Sequence, residues 1–139
     1  MDVIELLNQK NHYLEKFYSL NEIEIQNFTV GNFDNLESFY HTREQILDII
    51  KYIDVQIINS QSVPEFFLNS AIDRKNMQEA IAIKEQYVNR IIEQDLQILS
   101  CIENTKSNII KELQSLKKSK KAIGGYKSMQ FKNNLDEEV

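Results

Sequence analysis

Turn-forming residues are almost missing from this chain. Pro64 is the single proline among 139 residues, and Gly31, Gly124 and Gly125 are the only glycines. So few residues suited to tight reversals exclude a many-stranded fold and favour a few long helices. Tryptophan is absent, and cysteine occurs once, as Cys101. A lone cysteine cannot pair within the chain, so a reducing compartment, the cytoplasm, is expected. No run approaches the ~20 apolar residues needed to cross a bilayer. The start, Met1-Asp2, turns amphipathic at once and lacks the apolar core of a signal peptide. Also missing are the local signatures of catalysis: HExxH, CxxC, GxSxG and a Gly-rich phosphate loop. His12 and His41 have no Cys or second His at ligand spacing and read as surface helix residues. Neither an enzyme nor a bound metal or cofactor is expected.

What remains is helix-forming residues with an uneven charge distribution. The net charge is −5, yet residues 1–105 carry 8 Lys/Arg against 17 Asp/Glu. Residues 106–132 reverse the sign, with eight lysines against Glu112 alone. A basic segment on an acidic body is one way to bind nucleic acid or anionic lipid. Here no aromatic residues suited to base stacking interleave with the lysines. Lys117, Lys118, Lys120 and Lys121 instead sit where a helix C-terminus favours cations. Neither nucleic acid nor membrane insertion is expected.

Periodicity divides the chain into three helices, over about 2–28, 34–59 and 73–121, followed by a flexible tail at 122–139. In the first, Ile4, Leu7, Asn11, Leu14, Tyr18, Asn21, Ile25 and Phe28 alternate steps of three and four. Val3, Tyr13, Phe17, Leu20 and Ile23 widen that stripe, as contact with two neighbours requires. Gly31 can close this helix in the left-handed conformation, and Asp34 or Asn35 can cap the next. The second stripe is Leu36, Phe39, Arg43, Ile46, Ile50, Ile53 and Ile57. Pro64 then interrupts, within the apolar connection Val63–Leu68. The third stripe runs Met77, Ile81, Val88, Ile91, Ile98, Ile102, Ile109, Leu113, Leu116. Gly124-Gly125 is read as its end. The expected fold is all-α: an antiparallel three-helix coiled-coil-like bundle with a long third helix extending beyond it.

Pairing residues across each hairpin fixes a register. Paired numbers should total about 64 between helices 1 and 2, and about 138 between helices 2 and 3. Asn21, Arg43 and Asp95 then fall at one level, three polar residues at apolar seam positions, as a structural polar layer that sets register. An Arg and an Asp without a nucleophile make no reaction mechanism. The same register ends the cover from helices 1 and 2 near residue 105. Ile109, Ile110, Leu113, Leu116 and Ile123 are left without an intramolecular partner, with Tyr126 as an anchor in the tail. An exposed apolar stripe of that kind marks an interaction surface.

Four segments carry a resemblance to a known group. Gly31-Asn32-Phe33-Asp34-Asn35-Leu36-Glu37 leads into Arg43-Glu44-Gln45-Ile46-Leu47, and Asp95-Leu96-Gln97-Ile98-Leu99 precedes Lys120-Lys121-Ala122-Ile123-Gly124-Gly125-Tyr126. Over roughly residues 3 to 127 the chain resembles the flagellar type III export chaperones, the FlgN/FliT-like group. The Pro-containing Val63–Leu68 connection departs from that pattern. The resemblance implies a small cytoplasmic chaperone that holds a hook-associated, junction or cap protein through its C-terminal helix before export. It also implies contact with the export apparatus. The alternative is a structural homodimeric coiled-coil protein whose stripe is permanently buried.

Overall fold

The structure, a computed structural model, describes residues 2–61 and 70–127. It is all-helical: α1 spans Val3–Thr29, α2 Leu36–Gln61 and α3 Ala71–Lys127, with no strand among the described residues. The chain divides into two compact units, Met1–Leu99 and Ser100–Val139. The expected Val63–Leu68 turn lies outside the described residues, as does the tail from residue 128 onward.

Local chemistry sets the helix ends. Asp2 caps α1, its Oδ1 accepting the Glu5 N–H at 2.9 Å. At the other end, Gly31 takes a φ of 78°. Its N–H reaches Phe28 O at 3.0 Å while the Asn32 N–H reaches Asn27 O at 2.9 Å. These two bonds form a Schellman motif, and they satisfy carbonyls that the helix would otherwise leave open. The α2 ladder opens with the Phe39 N–H on Asn35 O at 2.8 Å, so Asn35 is its cap. For α3 the cap is Ser70, whose Oγ accepts the Asp73 N–H at 3.0 Å. The helix therefore starts before the expected residue 73. Ser70 and Asp73 carry the spacing of a capping box, a signal legible in the chain.

Two expectations for α3 need correcting. It continues past Lys121, through Gly124 and Gly125, to Lys127. Glycine keeps its backbone N–H and costs a helix only about 1 kcal/mol relative to alanine, so two glycines do not compel a break. Val88, expected in the core stripe, is exposed, and Ala80, Gln94 and Ile98 hold the buried positions of α3. The inward face of this helix mixes polar with apolar residues, so the apolar count alone points to the adjacent face. A smaller shift of the same kind affects α1. Val3, Phe17 and Glu24 are buried where Ile4, Tyr18 and Ile25 are only half-buried.

In the unit Met1–Leu99, α2 runs antiparallel to both other helices. Lys10 meets Asp54 at 2.6 Å on the α1–α2 register, and Arg43 meets Asp95 at 2.8 Å on the α2–α3 register. Helices α1 and α3 are parallel, because their paired residues advance together: Asn11 with Ala80, Tyr18 with Tyr87, Asn21 with Gln94. The core between them holds Leu7, Leu14, Phe17, Phe28, Phe39, Ile50, Ile53 and Ile98. At one end Phe28 stacks on Phe33 at 4.7 Å and meets Phe39 edge-on at 5.7 Å. Each such aromatic contact adds about 0.5–1.5 kcal/mol beyond the area it buries.

Candidate interaction surfaces

One cluster of polar contacts inside the first unit gathers at the level of Asn21, Arg43 and Gln94. The Arg43 guanidinium donates from Nη2 to Asp95 Oδ1 at 2.8 Å and lies over the rings of Phe17 and Phe39, at 4.8 and 5.2 Å. The arginine side chain is 15% exposed and the aspartate 44%, so the pair sits at the edge of the core. Asn21 is fully buried at 0% exposure, and its amide donates to Gln94 Oε1 at 3.0 Å. Gln94 in turn donates to Tyr18 O at 3.0 Å and to Glu22 Oε1 at 2.8 Å. The structure thus joins Arg43 to Asp95 directly, and Asn21 to the residue preceding Asp95. Sequence reasoning missed Gln94, which binds α1 at three points and occupies a seam position where a polar residue gave no apolar signal.

Three buried acceptors have no hydrogen bond among the described residues: Asn11 Oδ1, Asn21 Oδ1 and Glu24 Oε2. Among the described residues no three His, Cys, Asp or Glu side chains cluster as a metal site. His12 and His41 are both exposed, and Cys101 is half-buried. No described helix is long and apolar enough to cross a membrane.

The second unit carries the stripe. Ile109, Ile110, Leu113 and Leu116 are all exposed, Leu113 by 58%, and every residue from Lys106 to Ser119 is exposed. Helical spacing places Lys106, Lys117 and Lys120 on the same face as these four residues, one lysine before them and two after. The face is therefore an apolar strip bracketed by cations. Ile123 and Tyr126 fall within the span of α3, but their side chains lie outside the described residues.

Two further surfaces belong to the first unit. An open groove between α1 and α2 is lined by Leu6, His12, Tyr13, Ile49, Tyr52 and Ile53. On the opposite flank of α2, exposed Tyr40 and Leu47 lie within a turn of Arg43, while exposed Val88, Ile92 and Leu99 neighbour Asp95 at helical spacing. These five residues flank the Arg43–Asp95 bridge along the α2–α3 seam. Val88, Ile92, Leu96 and Leu99 are all exposed and follow one another at three- and four-residue spacing along α3. No family model matches the chain, and neither does any curated protein or solved structure.

Proposed function

We propose that this chain is a helical binding module, working without catalysis, that takes an amphipathic helix of a partner on Ile109, Ile110, Leu113 and Leu116. One observation carries the reading: four large aliphatic side chains line one face of α3 and are all exposed. Burying each at an interface is worth roughly 1.5–3 kcal/mol, less the cost of association. Lys106, Lys117 and Lys120 give the occupant a sign, since a helix with carboxylates at the ends of its apolar strip complements them. The resemblance to flagellar export chaperones supplies the class: a hook-associated, junction or cap protein held in the cytoplasm before export.

The test is calorimetric titration of the purified chain with flagellar hook-associated, junction and cap subunits. One subunit should bind with a 1:1 equivalence point. Ile109→Ser with Leu113→Ser should weaken that binding by about 100-fold or more, from two lost aliphatic contacts. Binding of every subunit unaffected by the double substitution would move the site to another surface. A constitutive coiled coil joining the stripes of two copies is the competing reading. It would bring lysine-bracketed faces together, a like-charge pairing that costs rather than stabilises.

A further inference from the structure

Within the unit Ser100–Val139, the apolar row of α3 is interrupted by cations at a fixed interval. Ile102, Lys106, Ile109, Leu113, Leu116 and Lys120 follow one another at alternating steps of four and three, the spacing of a coiled-coil contact row. Lys106, Leu113 and Lys120 therefore hold the same position in three successive heptads. The two lysines stand about 21 Å apart along the helix axis. Neither takes part in an ion pair among the described residues. Acids offset them little: over residues 106–121 six lysines stand against Glu112 alone. Glu112 lies on one shoulder of the row, and Glu103, a turn before Lys106, lies on the other. A cation within an apolar row weakens packing against an apolar partner and fixes the register of a matching one. An aliphatic residue opposite it strands the ammonium or bends it out to water, whereas a carboxylate pairs with it.

We propose that Lys106 and Lys120 are the specificity determinants of this face. They select a partner helix whose contact row carries two carboxylates fourteen residues apart, with an aliphatic residue midway to meet Leu113. The inference rests on reading Ile109, Ile110, Leu113 and Leu116 as the docking surface; those four supply affinity, and the lysines supply register. Lys117 sits on the shoulder beside Ile110, so it attracts acid without dictating its place. Sliding the partner by one heptad brings a carboxylate against Leu113 and leaves one lysine unpaired, so a wrong register is penalised twice. A second copy does not fit this description. Between residues 102 and 120 the row holds no acid, and two stripes together leave all four lysines unpaired.

The probes are three synthetic amphipathic helices of about 21 residues, each with a leucine contact row. The first carries glutamates at two row positions fourteen residues apart. In the second the same two glutamates stand seven apart, and in the third lysines replace the glutamates of the first. In calorimetric titrations of the full chain, the first should bind about 10-fold tighter than the second and about 100-fold tighter than the third. Lys106→Glu with Lys120→Glu, its helical circular dichroism unchanged, should reverse the order and prefer the third. Equal binding of the first and second overturns the proposal, as does a charge-reversed variant that keeps the wild-type order. Ile109→Ser with Leu113→Ser separates the two readings. If it abolishes binding of peptides that the wild type does not distinguish, the docking surface stands and the spacing rule falls. If it binds the first peptide as tightly as the wild type does, the docking surface itself is wrong. A wild-type chain that binds none of the three overturns both. A wild-type dimer in sedimentation velocity that the same double substitution dissolves gives the face to a second copy, and also overturns the proposal.

Discussion

Ile98 and Leu113 occupy the same kind of position on one helix, two heptads and a residue apart, yet Ile98 is buried at 2% exposure and Leu113 is 58% exposed. Both belong to stripes with the three-four spacing of an amphipathic helix. In the unit Met1–Leu99 the stripe of α3 has α1 and α2 to pack against, and Asn11, Asn21 and Arg43 reach it with hydrogen bonds. From Lys106 to Ser119 every residue is exposed. A periodic apolar face is therefore a demand for cover, and it says nothing about which molecule supplies it. The charge separates the two regions as well: residues 1–105 are acidic and residues 106–132 are basic.

That contrast breaks first under large-to-small substitution. Phe39→Ala should cost about 3–5 kcal/mol in urea-induced unfolding, because Phe39 is buried at 2% exposure between Phe28 and the Arg43 guanidinium. Leu113→Ala removes a comparable side chain and should change stability by under ~0.5 kcal/mol at concentrations where the chain is monomeric. Equal losses at the two positions would erase the distinction between the regions.

A middle-sized effect is expected at the polar level. Arg43→Ala deletes a half-exposed ion pair and the packing of the guanidinium over Phe17 and Phe39. The loss should be about 2 kcal/mol, below the 3–5 of a fully buried pair because water reaches Asp95 and screens the charge left behind. Arg43→Leu with Asp95→Leu should recover most of it. A loss above ~4 kcal/mol would mean that Asp95 is sealed from solvent when the helices breathe.

Truncation after Asn108 should have the smallest effect on folding and the sharpest on binding. Removing Ile109, Ile110, Leu113 and Leu116 takes away side chains that are exposed, so the midpoint of thermal unfolding should move by no more than about 2–4 °C. Partner binding should disappear in the same preparation. A truncated chain that no longer unfolds cooperatively would show that the basic segment contributes to the core.

Much of the architecture was legible because helices are local objects. The scarcity of glycine and proline, the three-four spacing and the capping chemistry of Asp2, Gly31 and Ser70 act within a few residues of one another. Antiparallel hairpins then convert a turn position into a register, which is how the Lys10–Asp54 and Arg43–Asp95 levels follow from sequence numbers alone. Rotation of each helix about its own axis was decided by tertiary packing. Gln94 turns inward because its amide meets Asn21, Tyr18 and Glu22 at once, and Val88 turns outward because α1 claims the face a third of a turn away. No periodicity records those partners, because a polar residue in a stripe has the same letter whether it is satisfied across a seam or by water.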